Sequence, residues 1–499
     1  MLLLIELWAL GLMSAKILHE IGRAAMQVAP RPPMAMLAGL GKGHYHRDLS
    51  AKLRLGRNNV PQPYMAKLLL RDGSTRPPTQ VEQEYPILFP HEFLSNMHDN
   101  HFSEFQKYCV GSEPLAAFWN EIPATDNRLI GHPVRHIPNY QDTVIPLRLH
   151  GDGVPIARTR GRSLDCVSLS SMVGFRGSSW DSKWLLFGIV DGAKLKQREH
   201  GTSTMDRVWV IIQWCFRVLL SGCWPALDWE RKPFTGWRWE RRGQPLAGNY
   251  RFAMFEIACD LDYACNYLSL QHFGHGTHPC FRCNGNRTTM PISDLRMEAA
   301  WRRHCVDIPT WYFMPKHSLF ADPQVGMNVF HLALDVLHVM DLGVLQHICA
   351  SCIYLLVFDS NLRGQFEDKA NTVWRALAHA YEELGTTVGE RFAEALYSRM
   401  FDKCGRTGSP IAYPQLFCKG AIARHIVPVL LRVVRCMPDW APDSLQTTDE
   451  LDVFRCVCDL LGALAAFYDC IFPTACGCRR RQPQKHVASC SGPGQRTIR

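Results

Sequence analysis

The spacing of apolar residues changes along this chain. Over residues 1–30, Leu, Ile and Ala recur at helical intervals through "MLLLIELWALGLM" and "SAKILHEIGRAAMQ", which predicts one helix. "APRPP" at 29–33 breaks it. Residues 34–140 are mixed and Pro-rich; "EYPILFPHEFLSNMHDNHFSEFQKYC" predicts a loop and then a helix, and "GSEPLAAFWNEI" a further helix. From residue 141 the pattern shortens. "DTVIPLRLHGDGVPI" is a β-branched run ending at Asp152, "RSLDCVSLSSMVG" a second strand over 163–172, and "WDSKWLLFGIVDG" a third over 184–191. "DRVWVIIQWCFRVLLSG" (206–222) predicts a helix with Asp206 as N-cap and Gly222 as stop. "YRFAMFEIACDLD" (250–262) predicts a fourth strand ending on Asp260. Beyond it, "ISDLRMEAAWRRH" is helical and basic, and the second half of 328–358 is a long apolar helix. Residues 365–404 and 449–472 predict helices, as does 419–436 with a kink at Pro428.

The order is strand, strand, strand, helix, strand, with an acid closing the first strand and another closing the fourth. If those two strands are neighbours, Asp152 and Asp260 face one another. That is the layout of an RNase H-like domain: an α/β fold with a mixed-sheet core, here carrying a Cys/His insertion and a largely helical C-terminal part. The expected division is an N-terminal mixed or helical region (1–140), the first part of the core (141–262), a Cys/His zinc-type insertion (263–345), a helical part (346–475) and a disordered basic tail (476–499).

Composition constrains the reading only modestly. The 499 residues are 47% hydrophobic and 20% charged, enough for a large core. A net charge of +9 suits an acidic partner such as nucleic acid without requiring one. The 20 Cys are scattered through apolar stretches such as "VIIQWCFRVLL", which favours buried thiols in a reducing compartment over a disulfide framework. The N-terminal apolar stretch carries Glu6 and lacks a basic n-region, so it reads as an ordinary helix rather than a signal peptide. No run of about eighteen uncharged apolar residues predicts a membrane span.

Three clusters bear chemistry. Converging carboxylates repel one another, so a site built from Asp152 and Asp260 calls for a divalent cation, Mg²⁺ or Mn²⁺, which also coordinates phosphate oxygens. Gly151 and Gly153 permit close backbone approach around Asp152, although Asp-Gly is also a common turn; Asp262 is the alternative to Asp260. Cys280 and Cys283 have the spacing of half a zinc site. His278 and His275 are near in sequence, and Asp335 and His338 stand one helical turn apart; the plainer reading is two more buried thiols and a packed histidine. Finally, Trp237, Arg238, Trp239, Arg241 and Arg242 interleave aromatic and basic residues, which suits bases and phosphates or else a cation–π-rich surface hairpin.

Taken in order, "LHGDGVPI", "SLDCVSLSSMVG", "CDLDYACNYLSLQHFGHGTHPCFRCNGNR" and "FHLALDVLHVMDLGVLQH" resemble the DDE/D-type transposases, nearest the CACTA (En/Spm-like) group and related transposase-like proteins of protists. The resemblance covers about residues 150–430. It implies Asp152 and Asp260 as catalytic acids, and Cys280, Cys283, His278 and His338 around a zinc ion, with Asp335 either joining His338 there or serving as the third acid. It further implies DNA as partner, Mg²⁺-dependent DNA cleavage and strand transfer, a nuclear location, compatibility with a homo-oligomer, and no membrane. The chain departs from the pattern at Ile422, where a Glu is expected; Glu382, Glu383, Glu390 and Glu394 are the nearest substitutes. An incomplete triad implies an inactive descendant, and the alternative is a non-catalytic nucleic-acid or protein-binding module with a structural zinc.

Overall fold

In the computed structural model the described residues are 13–28, 32–53, 61–72, 79–155, 163–175, 182–195, 203–271, 277–307, 317–359, 362–392, 414–416, 420–436 and 448–471, with a few isolated positions between. The basic tail lies outside them. The chain divides into two compact units, Met1–Leu334 and Asp335–Arg499.

The first unit is mixed α/β. A hairpin comes first, β1 (Tyr64–Asp72) antiparallel to β2 (Thr79–Ile87). The main sheet contains β3 (Val144–Pro155), β4 (Ser163–Ser171), β5 (Trp184–Val190), β6 (Arg251–Ala258) and the short β7 (Leu332–Ala333), in the order β5-β4-β3-β6-β7. β3, β4 and β5 form an antiparallel meander, while β6 runs parallel to β3 and β7 parallel to β6. A parallel return needs a crossover, and the helix α3 described below supplies it.

Helices preceding the sheet include α1 (Ala15–Val28) and α2 (Pro90–Asn100). The crossover helix α3 (Thr204–Ser221) starts at Ser203, not Asp206: the Asp206 N–H donates to Ser203 Oγ (3.0 Å), and the Ser203 N–H donates back to the Asp206 carboxylate (2.8 Å). Asp206 is therefore the reciprocal member of a capping box. The helix ends on Gly222 at φ 73°, a left-handed position that glycine adopts without penalty. Its buried face, with Val208, Trp209, Ile212, Phe216 and Leu219, shares one core with Leu147 and Leu149 of β3, Val167 and Leu169 of β4 and Met254 of β6. Each such side chain contributes about 1.5–3 kcal/mol, so this face fixes the helix on the sheet.

The opposite face of the sheet is covered by a smaller cluster of Val144, Ala253, Phe255, Trp119, Leu129 and Val134. The Trp119 indole donates to the Val144 carbonyl (2.9 Å), tying this layer to the strand. Between Leu147 and Arg148 the β3–β6 register shifts by one residue. Phe255 is the extra residue, and Glu256 follows it as the ion-pair partner of Arg148.

The segment 292–304, expected to be helical, is mostly turns with a single helical turn at Ala300–Arg303. Local bonds compete with helix there: Asp294 accepts from the Arg296 backbone (3.2 Å) and guanidinium (2.8 Å), and the Trp301 indole donates to the Asp294 carbonyl (2.6 Å).

The second unit is helical. A helix α5 (Gln346–Tyr354) is flanked by π-helical turns at Leu337–Leu345 and Leu355–Asp359, followed by α6 (Phe366–Glu383), α7 (Gly420–Cys436, with Pro428 inside it) and α8 (Thr448–Ile471). Its core joins Cys349, Ile353, Val373, Leu377, Ile426, Leu430 and Leu461. The continuous stretch Leu337–Phe358 is long and apolar enough to cross a bilayer by length and composition, but half of its window is buried inside the protein, so no membrane is suggested. That stretch also holds the fully buried Asp341, which accepts from Arg424 (2.6 Å) and the Tyr468 hydroxyl (2.5 Å). A buried carboxylate is tolerable only when paired in this way.

Candidate functional site

The C-terminal ends of β3 and β6 carry the predicted acids. After the bulge, His150 pairs with Ala258, an offset of 108 residues (258 − 150). That is the last pair of the ladder; Asp152 lies two residues further along β3 and Asp260 two residues beyond Ala258, at the same end of the sheet. Asp260 has just left β6 and N-caps a short helix, α4 (Leu261–Tyr267), accepting from the Tyr263 N–H at 2.6 Å.

A cavity of about 760 Å³ opens beside this end, lined among others by Asp165, Lys194, Asp260, Asp262, Tyr263 and Tyr267. Asp191 and Asp206 add carboxylates to its wall. Their commitments differ. Asp165 and Asp191 are held by Lys194, and Asp206 by the capping box. Asp260 commits only Oδ1, to its cap, and Asp262 has no hydrogen bond or ion pair among the described residues. Asp260 and Asp262 thus keep oxygens for a cation and, unlike Asp165 and Asp191, have no ion-pair partner among the described residues; their hard oxygens match such an ion.

Asp152 stands differently. A Cβ placed on Gly151 would meet the Tyr263 ring at 2.3 Å, so Gly151 faces α4. Side chains alternate along a strand, so Asp152 projects from the other face, where it is exposed opposite Cys166 in the ladder. Burial first, and then the Asp152 and Asp165 carboxylates, push the Cys166 thiol up from its ordinary value.

Sequence reasoning missed the Asp165–Lys194–Tyr267 cluster. Asp165 and Lys194 are both buried and in direct contact, and Tyr267 donates to the same Asp165 oxygen (2.8 Å) while also bonding Lys194. Burial opposes the Lys194 ammonium, but its bonds to Asp165, Tyr267 and Asp191 outweigh that and raise its pKa above that of an ordinary lysine. Burial, against the opposing pull of Lys194, pushes Tyr267 up to about 12. A permanent cation therefore stands in the wall of a carboxylate-lined cavity.

The Cys/His residues separate between the two units. Cys280, Cys283 and His278 belong to the first, Asp335 and His338 to the second. Within the second, His338 Nδ1 lies 2.5 Å from Asp335 Oδ2, and Asp335 Oδ1 accepts from the Leu337 N–H (2.8 Å). In the first, the Arg282 N–H donates to Cys280 Sγ (3.3 Å), and the half-buried Cys280 neighbours the buried Cys283. Burial above all, with Cys280 and Cys305 beside it, pushes the Cys283 thiol up to about 11. Among the described residues no three His, Cys, Asp or Glu side chains are already gathered as a metal cage. The described cysteines are free thiols, and Cys109, Cys215 and Cys349 are fully buried.

The aromatic–basic segment is largely engaged with its own fold. Arg238 makes a bidentate pair with the buried Glu92 (2.6 and 3.1 Å), and Arg241 pairs with Asp99 (2.8 Å). The guanidinium of Arg242 stacks over Trp239 at 4.0 Å. Trp237 and Trp239 keep partial exposure. The candidate substitutes for the missing acid lie in the second unit: Glu383 pairs with Arg432 (3.0 Å) and Glu390 bonds Thr387 (2.8 Å), while Glu394 lies outside the described residues. Comparison with protein-family models, curated proteins and solved structures found no match.

Proposed function

We propose that this is a transposase-derived protein with an RNase H-like core that acts on DNA in the nucleus. The observation that carries the reading is the strand order β5-β4-β3-β6-β7 with β6 parallel to β3, so that Asp152 near the end of β3 and Asp260 just past the end of β6 lie at the same end of neighbouring strands. The uncommitted oxygens of Asp260 and Asp262, which line the cavity, would hold Mg²⁺ or Mn²⁺, and Asp152 would join them only after the end of β3 twists towards that face. Such an ion, when bound, supplies Lewis-acid stabilisation of phosphate charge. The chain's own part is to orient: Gly151 lets α4 close on β3, the Asp260 cap fixes that helix, and Lys194 neutralises Asp165 so that fewer carboxylates compete for one cation.

The test is nicking and strand transfer on supercoiled DNA. Wild type is expected to act only with Mg²⁺ or Mn²⁺, and Asp152→Ala and Asp260→Asn each to abolish that action while leaving DNA binding intact. Unchanged nicking in both variants refutes the assignment. One observation favours a second reading, a non-catalytic nucleic-acid or protein-binding module: alternation along β3 turns Asp152 away from the cavity lined by Asp260 and Asp262. Salt-dependent DNA binding without any cleavage would select that reading.

A further inference from the structure

Cys283 and Cys305 are directly opposite one another in a short antiparallel bridge. The bonds flanking them run from the Asn284 N–H to the His304 carbonyl (3.0 Å) and from the Val306 N–H to the Arg282 carbonyl (2.8 Å). That makes Cys283 and Cys305 a non-hydrogen-bonded pair, the closer kind, with Cα atoms about 4.5 Å apart and side chains on the same side. Cys280 enters the same spot from the turn before. Its Sγ accepts the N–H of Arg282, two residues on, and Cys283 Sγ accepts the N–H of Gly285, again two residues on. Two backbone N–H groups thus already point at these sulfurs. Gly285 is needed for the approach: a Cβ there would stand 2.6 Å from Ile292 Cγ2 and 3.2 Å from Cys283 Sγ.

We propose that Cys280, Cys283 and Cys305 bind one Zn²⁺ ion as thiolates, its fourth position filled by solvent or one further side chain. The set lies wholly within the first unit and replaces the Asp335 and His338 partners that the sequence resemblance implies. The exposed Cys305 thiol donates to the Arg302 carbonyl (3.4 Å), a bond that metal binding would break by turning the sulfur towards the facing Cys283. Binding displaces three thiol protons to solvent and forms three Zn–S bonds with no change of oxidation state, so apparent affinity rises with pH. The ion would close the loop 280–305, a stretch whose only regular helix is a single turn. This site does not depend on the acids at β3 and β6.

The test uses the full chain purified under reducing conditions, with metal content by elemental analysis and Co²⁺ as a spectroscopic probe. One Zn²⁺ per chain and an intense thiolate-to-Co²⁺ charge-transfer band are expected. Cys305→Ser should cut that band by about one third, the share of one thiolate in three, and Cys305→His should restore tight binding with the reduced band. Cys223→Ser, an exposed cysteine elsewhere, and His338→Ala should leave both readouts unchanged. Retention of the full band in Cys305→Ser overturns the proposal, as does loss of metal in His338→Ala alone. A wild type that takes up neither metal, or carries a Cys283–Cys305 disulfide under reducing conditions, overturns it equally.

Discussion

Gly151→Ala places a methyl group against the one ring that holds α4 to β3. Built on the backbone, the new Cβ lies 2.3 Å from Cε1, 2.4 Å from Cζ and 2.9 Å from Cδ1 of Tyr263. Ordinary contact begins near 3.4 Å, so the ring must retreat by about 1 Å. It has little room, because Tyr263 is only 4% exposed and packs in the main core. Overpacking of this kind costs about 1–3 kcal/mol; the gain of about 0.4–1 kcal/mol from a less flexible unfolded chain offsets part of it. Tyr263→Ala alone should cost about 3–5 kcal/mol by leaving a cavity. In the double variant the methyl enters the vacated space, so the two costs should fall short of additive by about 1–3 kcal/mol. Urea unfolding followed by tryptophan fluorescence measures all four corners of the cycle. If Gly151→Ala lies within about 0.5 kcal/mol of wild type, or the pair is additive, the ring does not occupy that space.

Further outcomes follow from neighbouring groups. The Tyr263 hydroxyl is buried without a hydrogen-bond partner among the described residues, so Tyr263→Phe should stabilise by about 1 kcal/mol in the same urea assay; a loss of stability would reveal a partner. Arg238→Ala strands the buried Glu92 and should cost about 3–5 kcal/mol, whereas Arg242→Ala should leave the urea midpoint nearly unchanged and weaken DNA binding; the reverse ranking would refute the ion-pair role. Acid should also destabilise the first unit. Burial, opposed by the Met254 carbonyl, lowers His132 to about 4, and burial, opposed by Asp206, lowers His317 to about 4. The unfolded chain takes protons near pH 6.5 that the folded chain refuses, so this stability is complete above about pH 6.5 and is lost as pH falls towards about 4. A urea midpoint flat across that window would refute it.

The sheet was legible because β3, β4, β5 and β6 are short apolar-rich runs with Gly or Asp at or just beyond their ends, and one long capped helix separates the third from the fourth. The hairpin was not. β2 is exposed along nearly all its length, so its outer residues are polar, and Pro86 within it imitates a break. Lys194 left no signal because its meaning rests on Asp165, 29 residues earlier, and on a burial that sequence spacing does not encode. Cys305 was hidden for a similar reason: one cysteine of twenty, it gains significance only from the bridge that sets it opposite Cys283. The helix predicted over 292–304 failed where Asp294, Arg296 and Trp301 satisfied backbone groups locally.

The bulge at Phe255 makes β6 modular. Phe255 and Glu256 both turn to the face covered by Trp119, while Met254 and Ile257 keep to the α3 side. Excising Phe255 alone would return the strand to strict alternation without changing the phase of anything beyond it, so His150 would stay paired with Ala258. What would disappear is the plug between Trp119, His331 and Arg128. Within one short stretch of chain, the residue that anchors the second layer and the acid that caps the next helix can therefore be gained or lost independently of each other.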